Sequence, residues 1–256
     1  MVIFLNFFII GAGNCTNVIA KDLFSKVSNV YIFDSSKERV EELKRVYSNV
    51  IYSDFSDIGN LNIDYVIECA SVDAVERYSE RVLDLNTNYV IISSGAFGDD
   101  LFRERFMEKL SVSKCNVFIP SGAVGGIDLI HSLGDSVEKI ILNTRKSPKS
   151  FGIDAFEENI IFEGGCKEAI KRFPQNINVA ITLALAVKDF EKVHVIITAD
   201  PYVKSNSHNI TIESKIGRYS INLENYPSDN AKTSLLAPLS IIGLFNKLNN
   251  NFKVGV

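Results

Sequence analysis

Four cysteines in 256 residues, Cys15, Cys69, Cys115 and Cys166, stand far apart, with no CxxC pair and no neighbouring histidine. That spacing excludes a disulfide-stapled scaffold and a zinc knuckle, and it suits a reducing compartment. Positive charge is not in excess either. Lys and Arg number 27 against 31 Asp and Glu, a net charge of −4, whereas a nucleic-acid binder needs a basic face to displace counterions from phosphates. No apolar run approaches the roughly 20 residues that span a bilayer. The apolar opening MVIFLNFFII lacks a basic flank and runs straight into Gly11-Ala12-Gly13, so it reads as a buried strand and not as an export signal. Repeats and low-complexity segments are missing. Hydrophobic residues at 46% and charged residues at 23% exclude intrinsic disorder. The expectation is a soluble, cytoplasmic protein that binds neither nucleic acid nor membrane.

What is present is an alternation of strand and helix. Val2–Ile10, Asn29–Asp34, Asp64–Cys69, Asn88–Ser93 and Asn116–Ile119 are short apolar runs, the pattern of strands covered on both faces. Between them Cys15, Val18, Ile19 and Leu23 recur at helical spacing. So do Val40, Leu43, Val46 and Tyr47, with Ser35 and Ser36 as candidate caps. Val75, Tyr78, Val82 and Leu85 mark a third helix, and Phe102, Phe106 and Leu110 a fourth. Such units need crossovers, which predicts an α/β fold with a doubly wound parallel sheet. From Pro120 the rhythm changes. Longer strands are expected near Val137–Thr144, Val193–Thr198, His208–Glu213 and Tyr219–Leu223, the last two forming a hairpin about Gly217-Arg218. Asn176–Val187 reads as a buried helix. The expected organisation is a dinucleotide-binding domain over 1–119 and a smaller α+β substrate domain over 120–229. A C-terminal helix over 230–256 is expected to pack back on the first domain.

The sequence Gly11-Ala12-Gly13-Asn14-Cys15-Thr16 lies between a strand and a helix, the context in which a glycine-rich turn binds a pyrophosphate. Gly11 permits the turn, and Gly13 lets phosphate approach the backbone at the helix N-terminus, beside Asn14. Thr16 stands where a third glycine is usual, which predicts a slightly displaced helix. Asp34 ends the second strand about 20 residues further on, where a carboxylate accepts the ribose hydroxyls of NAD and repels a 2′-phosphate. Lys37 and Arg39 nearby leave NADP open as a second cofactor.

The second half carries ordered blocks: Pro120–Asp128 (PSGAVGGID), Thr144–Ser150 (TRKSPKS), Phe162–Gly164 (FEG), Phe173–Ala180 (FPQNINVA), Ala199–Pro201 with Asn206 and His208, and Glu224–Ser234 (ENYPSDNAKTS). With the N-terminal IIGAGN and Asp64–Ser71 (DYVIECAS), they resemble L-aspartate dehydrogenases over essentially the whole chain. The departures are Thr16 in the glycine turn and Ala231 where the family usually has Pro. The resemblance implies a Rossmann-type domain followed by an α+β domain. It also implies NAD(P)-dependent oxidation of L-aspartate to iminoaspartate, then oxaloacetate and ammonia, feeding NAD biosynthesis. By the same resemblance His208 is the catalytic histidine, Ala123 and Asn178 contact the cofactor on its nicotinamide side, and the enzyme is a homo-oligomer, as a dimer.

Physical chemistry weighs these assignments separately. A dicarboxylic amino acid must lose its ammonium proton before hydride leaves, and a neutral imidazole suits that role. Of three histidines, His194 sits inside an apolar strand and His131 follows an apolar helix face, so both read as structural or surface residues. His208 sits in a polar run at a strand start, where a solvated residue is an equally ordinary outcome. Asn178, or Asn176, also reads as a helix cap, and Gly125 and Gly126 read as leaving room for the nicotinamide. Two carboxylates need cations or N–H donors. The candidates are Arg145, Lys146 and Lys232, with Thr233, Ser234 and Asn206 as polar neighbours. Asp200 is a candidate to orient His208. No metal site is expected. The competing readings are another two-domain reductase, resembling dihydrodipicolinate reductases or homoserine dehydrogenases, and a dinucleotide sensor without chemistry.

Overall fold

The computed structural model describes residues 5–173, 178–203, 205–225 and 234–254. The chain divides into two compact units, Met1–Pro120 with Ala237–Asn249, and Ser121–Leu236 with Asn250–Val256.

In the first unit six parallel strands, β1 (Asn6–Ile10), β2 (Asn29–Phe33), β3 (Val50–Tyr52), β4 (Tyr65–Glu68), β5 (Asn88–Ile91) and β6 (Val117–Phe118), stand in the order β3-β2-β1-β4-β5-β6. This is the doubly wound order, with its switch point between β1 and β4. Its helices are α1 (Asn14–Leu23), α2 (Lys37–Val46), α3 (Val72–Asp84) and α4 (Asp100–Val112). Successive β1 residues point to opposite faces, and Phe7, Phe8, Ile9 and Ile10 are all buried. Both faces are therefore covered, which explains why Phe7 to Ile10 is an unbroken apolar run. On one face Phe7 and Ile9 join Ile19, Leu23, Val40 and Leu43. There they also meet Ile241 and Phe245 of the C-terminal helix Leu236–Asn249. On the other, Tyr89 Oη lies 3.3 Å from Ser79 Oγ of α3. Phe97, Phe102 and Phe106 stack edge to face or tilted around the start of α4. Helix N-termini are capped by Ser71, which accepts from Ala74 N, and Asp99, which accepts from Phe102 N. Ser36 precedes α2 without capping it through its side chain. Asp34 accepts from Ser36 N instead, at 2.7 Å.

The second unit contains α5 (Ile127–Leu133), a mixed sheet, and the crossover helices α6 (Cys166–Arg172) and α7 (Asn178–Val187). Its strands are β7 (Val137–Lys146), β8 (Asn159–Gly165), β9 (Val193–Ala199), β10 (Asn206–Ser214) and β11 (Gly217–Asn225), in the order β11-β10-β7-β9-β8. β7 and β9 run parallel and the other pairs antiparallel. The hairpin is displaced from its expected position. Gly217 already pairs with Ser214, so the loop is Lys215-Ile216, and Ser214 Oγ closes it by accepting from Gly217 N. One sheet face is apolar, with Ile140, Leu142, Val195, Ile197, Ile210 and Ile212 fully buried. Among the described residues no helix is long and apolar enough to cross a membrane.

Candidate active site

In the first unit the loops after β1, β2 and β4 converge. Gly11 has φ +102°, and a Cβ there would stand 2.9 Å from the Cys69 carbonyl oxygen and from Ala70 Cβ. Only glycine permits both the dihedral and the approach. Thr16 is fully buried and its hydroxyl donates to the Gly11 carbonyl at 2.6 Å. The residue that replaces the third glycine thus ties helix to turn. Gly13 precedes α1, and a Cβ on it would meet nothing within 4 Å. The first-turn N–H groups of α1, starting at exposed Asn14, have no acceptor within the helix and favour an anion.

Asp34 follows β2. Its Oδ2 accepts from Ala12 N and its Oδ1 from Ser36 N, both at 2.7 Å. The carboxylate is thereby fixed beside the glycine turn; Oδ1 also accepts from Ser35 Oγ at 3.5 Å, and Oδ2 retains a lone pair for a ribose hydroxyl. An open approach at Gly13, a helix N-terminus and an oriented acid together fit a dinucleotide.

Sequence reasoning missed Glu68. It ends β4 with no exposed surface. Its Oε1 accepts from Ala70 N at 2.7 Å and Ser93 Oγ at 2.9 Å, and its Oε2 from Ser93 N at 2.9 Å. It joins the loops after β4 and β5. Burial raises its carboxyl above the ordinary range against the opposing pull of these donors. The signal was a charge inside the otherwise apolar run YVIEC, residues 65–69.

In the second unit His208 pairs with Thr144 across β10 and β7, and it is only 4% exposed. Its Nδ1 lies 3.0 Å from Thr144 Oγ1, which leaves Nε2 as the ring nitrogen not engaged by Thr144. Two residues beyond Thr144 on the same strand, and so on the same face, is Lys146, also buried. Burial, reinforced by the Lys146 charge, pushes the His208 imidazole down to about 4. Burial pushes the Lys146 ammonium down to about 8. Asn206, half-buried, precedes His208 by two residues and occupies the same face of β10.

Other candidates fall elsewhere. Asp200 does not touch His208. It accepts from Arg145 Nη1 at 2.8 Å and from Tyr202 N at 2.8 Å, and the guanidinium holds its carboxyl below the usual range. Arg145 is further occupied by Glu158 at 2.6 Å, so its charge is already met. It is one residue out of phase with Thr144 and Lys146, on the opposite face of β7. His194 pairs with Glu163 at 3.1 Å, and His131 is exposed in the last turn of α5.

Ala123 is half-buried in a β-turn closed by Val124 N donating to Ser121 O at 3.0 Å. The space at the glycines after it is not free, contrary to expectation. Gly126, at φ +79°, is covered by Ile221, whose Cδ1 a Cβ would strike, and a Cβ on Gly125 would stand 3.4 Å from Leu223 Cδ2. The two glycines let β11 side chains pack onto the turn, which brings the SGAVGG segment against the strand paired with His208. Asn178 opens α7, where its carbonyl accepts from Thr182 Oγ1 at 3.0 Å. Ser234 Oγ accepts from Leu236 N at 3.1 Å at the start of the C-terminal helix. Asn176, Ala231, Lys232 and Thr233 lie outside the described residues. Among the described residues, no three His, Cys, Asp or Glu side chains gather as metal ligands.

The NAD-binding domain of homoserine dehydrogenase matches residues 10–120, and the C-terminal domain of aspartate dehydrogenase matches residues 128–248. The L-aspartate dehydrogenase of Thermotoga sp. (strain RQ2) is 41% identical over 248 residues, covering 96% of this chain and 98% of the relative. That of Methanospirillum hungatei is 36% identical over 251 residues, with 96% and 98% covered. A crystal structure of aspartate dehydrogenase from Thermotoga maritima has a TM-score of 0.83 at 36% identity, covering 98% of this chain and 100% of that one. Glycine turn, oriented acid and histidine-bearing sheet thus lie in one ordered match running nearly end to end, and the chain belongs to the L-aspartate dehydrogenase family.

Proposed function

We propose that the protein oxidises L-aspartate to iminoaspartate with NAD, accepts NADP less well, and yields oxaloacetate and ammonia after hydrolysis. The observation that carries the proposal is the buried His208 imidazole, held at Nδ1 by Thr144 and sharing a sheet face with Lys146 and Asn206. Burial keeps the imidazole neutral through the physiological range, so its lone pair is available to the substrate's ammonium proton. The substrate's carboxylates offset the Lys146 charge that weakens it as a base. When bound, the dinucleotide supplies the acceptor for the Cα hydride. Gly13 and the first turn of α1 receive its pyrophosphate, Asp34 its adenosine ribose, and Ala123 and Asn178 its nicotinamide side. Once His208 has passed that proton to solvent, the neutral imidazole can take a proton from the water that adds to the imine. Lys146, cationic below about pH 8, and Asn206 attract one substrate carboxylate. Lys232, Thr233 and Ser234 are the proposed partners of the other. Release of iminoaspartate before hydrolysis would supply NAD biosynthesis.

The test is a panel of L- and D-amino acids assayed for reduced cofactor with NAD and with NADP. L-aspartate is expected to exceed L-glutamate and D-aspartate by orders of magnitude. Absence of turnover with L-aspartate, in protein that binds NADH, rejects the substrate assignment and favours a dinucleotide sensor.

A further inference from the structure

Cys15 and Cys69, widely separated in sequence, have their sulfurs 3.4 Å apart. Cys15 lies in the first turn of α1 and is partly exposed, while Cys69, just after β4, is 7% exposed. The other two thiols are spent differently: Cys115 Sγ lies 3.7 Å from the Asn116 carbonyl and Cys166 Sγ 3.3 Å from the Phe190 carbonyl. We propose that Cys15 and Cys69 form a reversible oxidation site, a dithiol that a peroxide converts to a disulfide, and that this cross-link weakens dinucleotide binding.

The exposed thiol meets the oxidant first. Cys15 attacks one peroxide oxygen, the O–O bond breaks, and the products are a Cys15 sulfenic acid and an alcohol or water. The Cys69 sulfur then displaces hydroxide from Cys15, forming the S–S bond and releasing water with the Cys69 proton. Two electrons pass from the two sulfurs to the peroxide, and an added dithiol returns them. The neighbouring Cys15 and burial hold the Cys69 thiol well above the ordinary range, which fits it to resolve and not to initiate.

The coupling follows from where slack is available. Sulfurs must close from 3.4 Å to about 2.05 Å, with the bond's own dihedral preference. The β4 side has little freedom, because Cys69 N donates to Ile10 O at 2.8 Å and the Cys69 carbonyl already abuts Gly11. The movement therefore falls on the first turn of α1, whose N–H groups receive the pyrophosphate. Linkage makes the effect reciprocal: bound NADH protects the pair by the factor through which oxidation weakens NADH. The functional half of the proposal rests on the dinucleotide-binding role of this turn; the chemical half does not.

The experiment treats the reduced full-length protein with hydrogen peroxide, with and without saturating NADH, and maps peptides without reduction. The expected result is one cross-link joining the Cys15 and Cys69 peptides, with loss of two hydrogens, reversed by dithiothreitol and slowed by NADH. The NADH dissociation constant should rise by about 5-fold or more on oxidation and return on reduction. In Cys15→Ser and Cys69→Ser, each compared with its own reduced state, peroxide should produce neither change. Both thiols remaining open to alkylation, or Cys15 passing to sulfinic acid without a cross-link, overturns the site. A cross-link that leaves NADH affinity unaltered overturns the coupling. Reduced protein that binds no NADH rejects the dinucleotide role and the coupling together, while the peptide map still decides the cross-link.

Discussion

Thr144 Oγ1 stands 3.0 Å from His208 Nδ1, on adjacent antiparallel strands and out of solvent. The contact fixes the ring plane and assigns the two nitrogens different duties. Thr144→Val keeps the shape and removes the hydrogen bond, whose net worth is about 1 kcal/mol. We expect kcat to fall about tenfold with NADH affinity unchanged, and Thr144→Ser to restore most of the loss. Equal rates in the Val and Ser variants would show that Thr144 does not orient the imidazole.

Asp34 has a structural duty beside its proposed cofactor role, since its two oxygens accept from Ala12 N and Ser36 N. Asp34→Ala should raise the KM for NAD more than that for NADP, because it removes the ribose acceptor and the repulsion of a 2′-phosphate together. Loss of two backbone acceptors should also lower stability by roughly 1–2 kcal/mol. Asp34→Asn keeps an acceptor for one of those bonds and should recover part of that stability. Steady-state kinetics with both cofactors, alongside urea melts, separate the two effects. Parallel shifts in the two KM values would remove Asp34 from the ribose.

Glu68 is an acceptor for three donors on two loops. Glu68→Ala strands the buried Ser93 N and Ser93 Oγ, at about 1–3 kcal/mol for a buried group left unsatisfied, whereas Ala70 N, at an exposed residue, can turn to water. Glu68→Gln retains one oxygen and should lie between Ala and wild type in urea midpoint. An Ala variant as stable as the Gln variant would mean that these donors find other partners and that Glu68 does not hold the loops together.

The doubly wound sheet was legible because five of its six strands fall in short apolar runs; in β1 the cause is burial on both faces, where Phe7 and Phe8 are adjacent and both are buried. β3, three residues long, is too short to carry any period. β8 was missed because only Phe162 of its seven residues is buried, so no alternation exists to read. The hairpin was found and its loop misplaced, since Gly217 signals a turn but is already in the ladder. Resemblance pointed to His208, but its environment was hidden. Thr144 and Lys146 reach it only through the β7–β10 register, and Asp200, nearer in sequence, is committed to Arg145. The Cys15–Cys69 contact was invisible for the same reason: sequence spacing carries no information about which loops meet at a switch point.

The depressed imidazole makes one further demand on His208. An ordinary histidine titrates near 6.5, and here burial and Lys146 push that down to about 4. The unfolded chain therefore binds more protons than the native one between these values. Stability contributed by His208 is fully present above pH 6.5 and is lost as pH falls toward 4. The shift amounts to on the order of 3 kcal/mol. A non-titrating His208→Asn variant should lose less stability than wild type across that window, so the difference between their urea unfolding curves narrows as pH falls. Kinetics read the same group independently. The acid limb of kcat, which reports the bound complex, should in the wild type lie well below 6.5, and the variant should turn over about 10²–10⁴ times more slowly. A wild-type limb at 6.5 would mean that the imidazole becomes solvated in the working enzyme. A folded variant with wild-type turnover would remove His208 from the chemistry.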